Sequence, residues 1–328
     1  MRFLNGSIGS IFKQMCLAGC VGLIFSSVPA SAQMATGKAK FVGNVIAGYV
    51  PSEYGTYWNQ VTPENGTKWG SVEGTRGSMN WGAADVAYNY AVSKGYKFKM
   101  HTLVWGSQEP GWVKNLSSSD QRVEVEQWIK AACARYPKSW AIDVVNEPLH
   151  QVPSFKNALG GNGTTGWDWI ITSFHLAKQY CPNAKLLMNE YGTENDPSAR
   201  SKFKAIAKLL KDRNLIDGIG LQSHYFNLDY MNASQMKATL DDYASLGVDI
   251  YISELDIVNG GSDAGQLAKY KELFPVMWQH SSVKGITLWG YRSGETWKDG
   301  SGLYSNGKER PALTWLKGYV ATTNAKTK

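Results

Sequence analysis

The sequence predicts an α/β fold, a single (β/α)8 barrel, from three observations. Eight short apolar runs recur along the chain, several rich in Val, Ile and Leu without strict alternation, as strands buried on both faces tend to be. Amphipathic stretches at helical spacing separate these runs. The first run is not followed by the glycine-rich phosphate loop that an open, doubly wound sheet carries. Length alone suggests two domains, but no Pro/Ser/Gly-rich linker or fixed-period repeat divides the 328 residues, and 43% hydrophobic content suffices for one large core.

The runs are Phe41–Ile46, Trp58–Val61, Lys97–Val104, Trp140–Val145, Lys185–Met188, Gly218–Leu221, Val248–Ile252 and Gly285–Leu288. Between the third and fourth, Ser118 and Gln121 have capping-box spacing. Val125, Ile129 and Cys133 follow on one face with Trp128 and Ala132 beside them, and Pro137 ends the helix. Phe203, Ile206 and Leu210 mark a second apolar face; Leu267, Tyr270 and Phe274 mark a third.

The N-terminus reads as an export signal. Arg2 and Lys13 supply positive charge, Met15 to Val28 is apolar and uncharged, and Ala30-Ser31-Ala32 is a small-residue cleavage site. We expect residues 1–32 to be removed near Ala32, leaving 33–328 as the barrel domain, secreted or periplasmic. Leu17-Ala18-Gly19-Cys20 offers a rival lipoprotein site that would lipidate Cys20, but the apolar run continues past it. No later segment is long and apolar enough to span a bilayer. Cys133 and Cys181 remain after cleavage, near the ends of consecutive helices, and either pair or stay as two buried thiols.

The formal charge is +7, of which Arg2 and Lys13 supply two, leaving +5 on the mature chain. The basic residues are scattered, which argues for a solvated surface and against nucleic-acid binding. The 13 Trp and 17 Tyr beside only 19% charged residues supply flat apolar faces of the kind that pack on sugar rings, although large cores use aromatics too. The five histidines, His101, His150, His175, His224 and His280, have no HExxH-like spacing, and the cysteines no CxxC spacing, so neither metal nor cofactor is expected.

Barrel enzymes carry reactive groups at the C-terminal ends of their strands. Asn146 and Glu147 follow the fourth run, and Glu254 follows the seventh. A carboxylate at such a place is costly unless paired or used, and no Lys or Arg lies in either segment to pair with it. Other strand ends carry Glu64, Asn65 and Lys68; His101, Trp105 and Gln108; Glu190 and Tyr191; Gln222 and His224; and Trp289, with Trp297 eight residues later. Singly each suits a packing role. Together they supply nearly every strand end with a polar or aromatic group.

At this point a resemblance becomes specific. His101-Thr102-Leu103-Val104-Trp105, continuing through Ser107-Gln108 to Pro110-Gly111-Trp112, resembles the third-strand signature of glycoside hydrolase family 10, the barrel xylanases. Asp143-Val144-Val145-Asn146-Glu147-Pro148 resembles its acid/base segment, and Ile252-Ser253-Glu254-Leu255-Asp256 its nucleophile segment. Thr62-Pro63-Glu64-Asn65 with Lys68, and Gly220-Leu221-Gln222-Ser223-His224, match two further motifs in family order, over about residues 40–318. The chain departs from the family where Ile142 replaces a usual Trp, Gly106 a frequent His, Glu190-Tyr191-Gly192 an Asp-Tyr-Asn, and Ser293 a frequent Asp.

The resemblance implies a TIM-barrel endo-1,4-β-xylanase acting on xylan and xylo-oligosaccharides with retention, its carboxyl groups roughly 5–5.5 Å apart. It implies Glu147 as acid/base and Glu254 as nucleophile, with His224 bonded to Glu254 and held by Asp256, and Asn146 on the sugar 2-hydroxyl. Glu64, Asn65, Lys68, His101 and Trp105 would hold the non-reducing-side sugars; Gln108, Trp289 and Trp297 would form the wall that excludes a hydroxymethyl group; Tyr191 and Gln222 would line the same cleft. Trp297 has the alternative of a loop anchor on its glycine-rich segment. The expected working form is a monomer. The rival functions are another barrel β-1,4-glycanase, a glucanase or mannanase, and a non-catalytic xylan-binding protein.

Overall fold

The computed structural model describes residues 33–325. The export signal, the possible lipidation at Cys20 and Cys16 lie outside the described residues. Eight parallel strands close into a barrel in sequence order: β1 (Phe41–Ile46), β2 (Gln60–Pro63), β3 (Lys97–Val104), β4 (Ala141–Asn146), β5 (Lys185–Glu190), β6 (Gly218–Leu221), β7 (Asp249–Leu255) and β8 (Val283–Leu288). Phe41 pairs with Gly285 to seal β1 against β8, so the sheet has no open edge.

The intervening helices are α1 (Tyr54–Tyr57), α2 (Gly82–Lys94), α3 (Ser118–Arg135), α4 (Asp168–Tyr180), α5 (Pro197–Lys211), α6 (Ala233–Ala244), α7 (Asp263–Gln279) and α8 (Pro311–Thr322). The predicted (β/α)8 TIM barrel is therefore present, with the first helix reduced to one turn. The apolar faces read from the sequence pack inward: Val125, Trp128, Ile129, Ala132 and Cys133 on α3, and Phe203, Ile206 and Leu210 on α5, are buried.

Several strand bounds shift, and three local expectations change for reasons the contacts show. The second strand starts at Gln60, because the backbone N–H of Trp58 closes α1 on Tyr54 and leaves Trp58 outside the sheet. The cap of α3 is Ser117, whose Oγ accepts the N–H of Asp120 at 3.1 Å; Ser118 is already helical, and Gln121 spends its amide on the Val113 carbonyl. On α7, Gln266 rather than Leu267 takes the fully buried place, because its Nε2 donates to the carbonyls of Ile257 and Ser301.

The interior of the barrel is layered. Phe41, Ala141, Leu187 and Tyr251 form a small apolar cluster apart from the main core. Polar side chains follow toward the C-terminal ends: Lys99, His101 and Asp143, then Asn189, Ser253 and Glu254, all buried. Such groups are tolerated inside when they pair with one another, as Lys99 and His101 do with Asp143.

Cys133, in the last turn of α3, and Cys181, which caps α4, form a disulfide with Cα atoms 5.2 Å apart. The bond closes a loop of 48 residues, which constrains the unfolded chain by about 2–4 kcal/mol. A Cys133→Ser/Cys181→Ser double variant is expected to melt about 3–7 °C lower by calorimetry. An unchanged melting temperature would show that the bond restricts little.

Candidate active site

Glu147 stands one residue past β4 with φ 53, a left-handed conformation that costs a non-glycine residue about 1–3 kcal/mol. Its backbone pays this back locally. The N–H donates to the Asn189 carbonyl at 2.8 Å, and the carbonyl accepts from the N–H groups of His150 at 3.1 Å and Gln151 at 2.8 Å. The loop after β4 also crosses onto the third strand end, where Gly106 donates to the Gln151 carbonyl. A Cβ at Gly106 would lie 2.5 Å from the Val152 carbonyl oxygen, so the loop's path requires glycine there and explains the absence of a His.

The two glutamates meet one connected set of donors. Glu147 Oε2 accepts from Trp105 Nε1 at 2.9 Å, and Oε1 from Gln222 Nε2 at 3.0 Å and Asn146 Nδ2 at 3.3 Å. Glu254 Oε1 accepts from Asn189 Nδ2 at 2.6 Å, and His224 Nε2 lies 3.4 Å from Oε2. Asn189 also donates to Asn146 Oδ1 at 2.8 Å and accepts from Ser253 Oγ at 2.6 Å. One asparagine pair thus links the environments of the two carboxylates. Room for Asn189 is made on β6: a Cβ at Gly220 would lie 2.1 Å from its side-chain oxygen.

The environments drive the acids apart. Burial pushes the Glu147 carboxyl up and the charge of Glu254 adds to this, outweighing the bonds from Gln222 and Trp105. Glu254 is also pushed up by burial, but the field of His101, the bond from His224 and the fields of His224 and Lys99 overcome this and bring it down to about 2. His224 is lowered by burial, yet Asp256, bonded to Nδ1 at 2.7 Å, and Glu254 together raise it to about 10. Beneath them, His101 Nδ1 lies 2.8 Å and Lys99 Nζ 2.9 Å from one buried carboxylate oxygen of Asp143. Two carboxyls with opposed proton affinities on one cavity are the requirement for acid and nucleophile chemistry on one bond.

That cavity measures about 480 Å³ and opens at the C-terminal mouth of the barrel. All the residues expected to touch a substrate line it: Glu64, Asn65, Lys68, His101, Trp105, Gln108, Tyr191, Gln222, Trp289 and Trp297, together with Asn146, Glu147, His224 and Glu254. Asp256 is not on the wall; it sits behind His224. Lys68 binds Asn65 at 2.8 Å and Gln108 at 2.7 Å, and its ammonium lies 4.7 Å from the Trp105 ring centre. Trp297 joins both of its alternatives: it lines the cavity and is 48% exposed, while its Nε1 is anchored on Asp256 at 2.7 Å.

The sequence reading missed Asn189 and Phe226. Asn189 was hidden because the apolar run stops at Met188 while the strand continues to Glu190, pairing Asn189 with Asn146. Phe226 lies on a one-turn helix after β6 and lines the cavity, which no periodicity signals. Glu190, read as a rim group, faces away from the cavity and bonds the backbone of Leu149 and Tyr191. Among the described residues no group of three or more His, Cys, Asp or Glu could hold a metal ion.

Comparisons with known proteins agree on one family. The model of glycosyl hydrolase family 10 matches residues 30–319. The chain is 47% identical over 282 residues to endo-1,4-beta-xylanase B of Cellvibrio japonicus, covering 84% of this chain and 45% of that protein, so it spans less than half the relative's length. It is 31% identical over 266 residues to endo-1,4-beta-xylanase A of Caldicellulosiruptor saccharolyticus, covering 74% of this chain and 78% of the relative. In fold it is similar to xylanase 10B of Thermotoga maritima, with TM-score 0.76 and 24% identity over 88% of this chain and 97% of the other. A psychrophilic family 10 endo-beta-1,4-xylanase gives TM-score 0.75 and 25% identity over 86% and 97%.

Proposed function

Because the chain belongs to glycosyl hydrolase family 10, we propose that it is a retaining endo-1,4-β-xylanase, with Glu254 as nucleophile and Glu147 as acid/base. The observation that carries this reading is the pair of carboxyls held at opposed proton affinities on one cavity. Ionised Glu254 attacks the anomeric carbon while the bond to the leaving oxygen breaks and that oxygen takes the Glu147 proton. The ester to Glu254 is then opened by a water whose proton passes to Glu147, which restores both groups. Asn146 holds the 2-hydroxyl, and the His224–Asp256 pair keeps Glu254 charged.

Preference for xylose rests on walls. Xylose lacks the hydroxymethyl group of glucose, and the wall that would exclude one is assigned to Trp289, Trp297 and Gln108, all of which line the cavity. A methylene-sized exclusion supports about 10–200-fold discrimination. Reducing-sugar release is therefore expected to be at least about tenfold faster on xylan than on carboxymethylcellulose or mannan. Faster cutting of either rival polymer would favour a glucanase or mannanase. Tight xylan binding without release of oligosaccharides would favour the binding protein.

The proposal includes export. The uncharged apolar stretch from Met15 to Val28 and the Ala30-Ser31-Ala32 site support it. The Cys133–Cys181 bond suits an oxidising destination.

A further inference from the structure

The loop after β4 does more than carry Glu147. Glu190 is fully buried at the end of β5, and its carboxylate ties together three neighbours of the cleft. Oε2 accepts the N–H of Leu149 at 2.9 Å, and Oε1 accepts the N–H of Tyr191 at 2.9 Å and lies 2.9 Å from His150 Nδ1. The His150 ring lies over the Tyr191 ring with centroids 4.1 Å apart and planes 20° apart. Phe226 meets Tyr191 edge-on at 5.8 Å. Tyr191 and Phe226 line the cavity and His150 does not, so His150 stands behind the ring it stacks on.

These contacts fall where the sequence departs from its family. Glu190 and Gly192 flank Tyr191 in place of Asp and Asn, and Gly106 lets the loop bearing His150 cross onto β3. From these contacts we infer that His150 is a positioning residue that fixes Tyr191 as the wall of the leaving-group sugar. The side follows from the barrel order, and the inference rests on the proposed xylanase reading. On that reading the residues after β2 and β3 hold the non-reducing-side sugars and the two glutamates, borne by β4 and β7, stand at the bond cut; in the ring of strands β5 and β6 lie on the other side of that pair, and their ends carry Tyr191 and Phe226 to the cavity wall. The Glu190 bond also raises the His150 pKa, which favours an imidazolium over the phenol face, an attractive pairing.

The test compares a substrate that reaches Tyr191 with one that does not. Xylopentaose carries leaving-side sugars, whereas β-xylobiosyl fluoride leaves only fluoride. His150→Ala is expected to raise KM for xylopentaose about tenfold, with kcat and the rate on the fluoride changed less than about twofold. His150→Phe keeps a stacking ring without the Glu190 bond and is expected to restore KM to within about threefold of wild type. If His150→Ala leaves KM for xylopentaose unchanged, or slows both substrates equally, the inference falls. It falls also if folded His150→Phe is as poor as His150→Ala. A wild-type protein that cuts neither substrate would instead overturn the xylanase reading on which it rests.

Discussion

Glu254→Ala is expected to lower kcat/KM on xylo-oligosaccharides by about four orders of magnitude or more, with the fold retained. The reason is specific to this side chain. Its bond from Asn189 and proximity to His224 hold an ionised carboxylate inside the barrel, and no other carboxyl on the cavity is held so far below its ordinary value. Azide supplied to the variant should enter the space left by the side chain and attack the anomeric carbon from that face. The product is then an α-glycosyl azide, detectable by NMR. Near-full activity in the folded variant, or a β-azide, would reassign the nucleophile. Stability has its own signature. A carboxyl lowered to about 2 in the fold stabilises it above the unfolded value near 4.5, and that contribution fades as pH falls toward 2. The variant's loss of melting temperature should therefore be larger at neutral pH than at pH 3.

How much of this was legible beforehand depended on which physical signal carried it. Buried strands are apolar runs, so β1, β3 and β6 match their runs residue for residue. The ends of β5 and β7 were cut short because inside a barrel a strand continues into polar residues that satisfy one another. Met188 ends the apolar run, yet Asn189 and Glu190 remain in the ladder, and Glu254 itself lies within β7. The candidate residues that the cavity gathers were readable because they follow strands and match ordered motifs. Their bonds were not, because Asn189 reaches Glu254 across 65 residues and Trp297 reaches Asp256 across 41. The capping of α3 slipped by one residue because Ser117, Ser118 and Ser119 are chemically alike. The bond from the Asp120 N–H to Ser117 Oγ and the use of Gln121 by Val113 separate the choices. Whether Cys133 and Cys181 pair was open for the same reason: spacing along the chain does not contain the 5.2 Å between their Cα atoms.

Glu147→Ala separates the two halves of the reaction. With xylopentaose, whose leaving alkoxide needs a proton, kcat/KM should fall about 10²–10⁴-fold. With a 2,4-dinitrophenyl xylobioside the first bond breaks without that proton, so the variant should release a burst of dinitrophenolate. It should then stall at the ester, because no base remains to activate water. Azide bypasses the missing base, speeds the second step and yields a β-glycosyl azide, the opposite anomer from the nucleophile variant. The pH profile follows from the same roles. On the proposed roles, wild-type kcat/KM is expected to require Glu254 ionised and to fall as pH drops toward about 2. It is likewise expected to require Glu147 protonated and to fall as pH rises through a value raised above 4.5 by burial. In Glu147→Ala the alkaline limb should vanish while the acid limb stays. A variant that keeps the limb, or lacks the burst, would place the acid on another residue. Because a raised carboxyl opposes folding when ionised, Glu147→Gln should melt higher than wild type at neutral pH, and the gain should disappear as pH falls below 4.5. Stability gained where activity is lost would mark Glu147 as a group the fold holds against its own preference for the sake of the reaction.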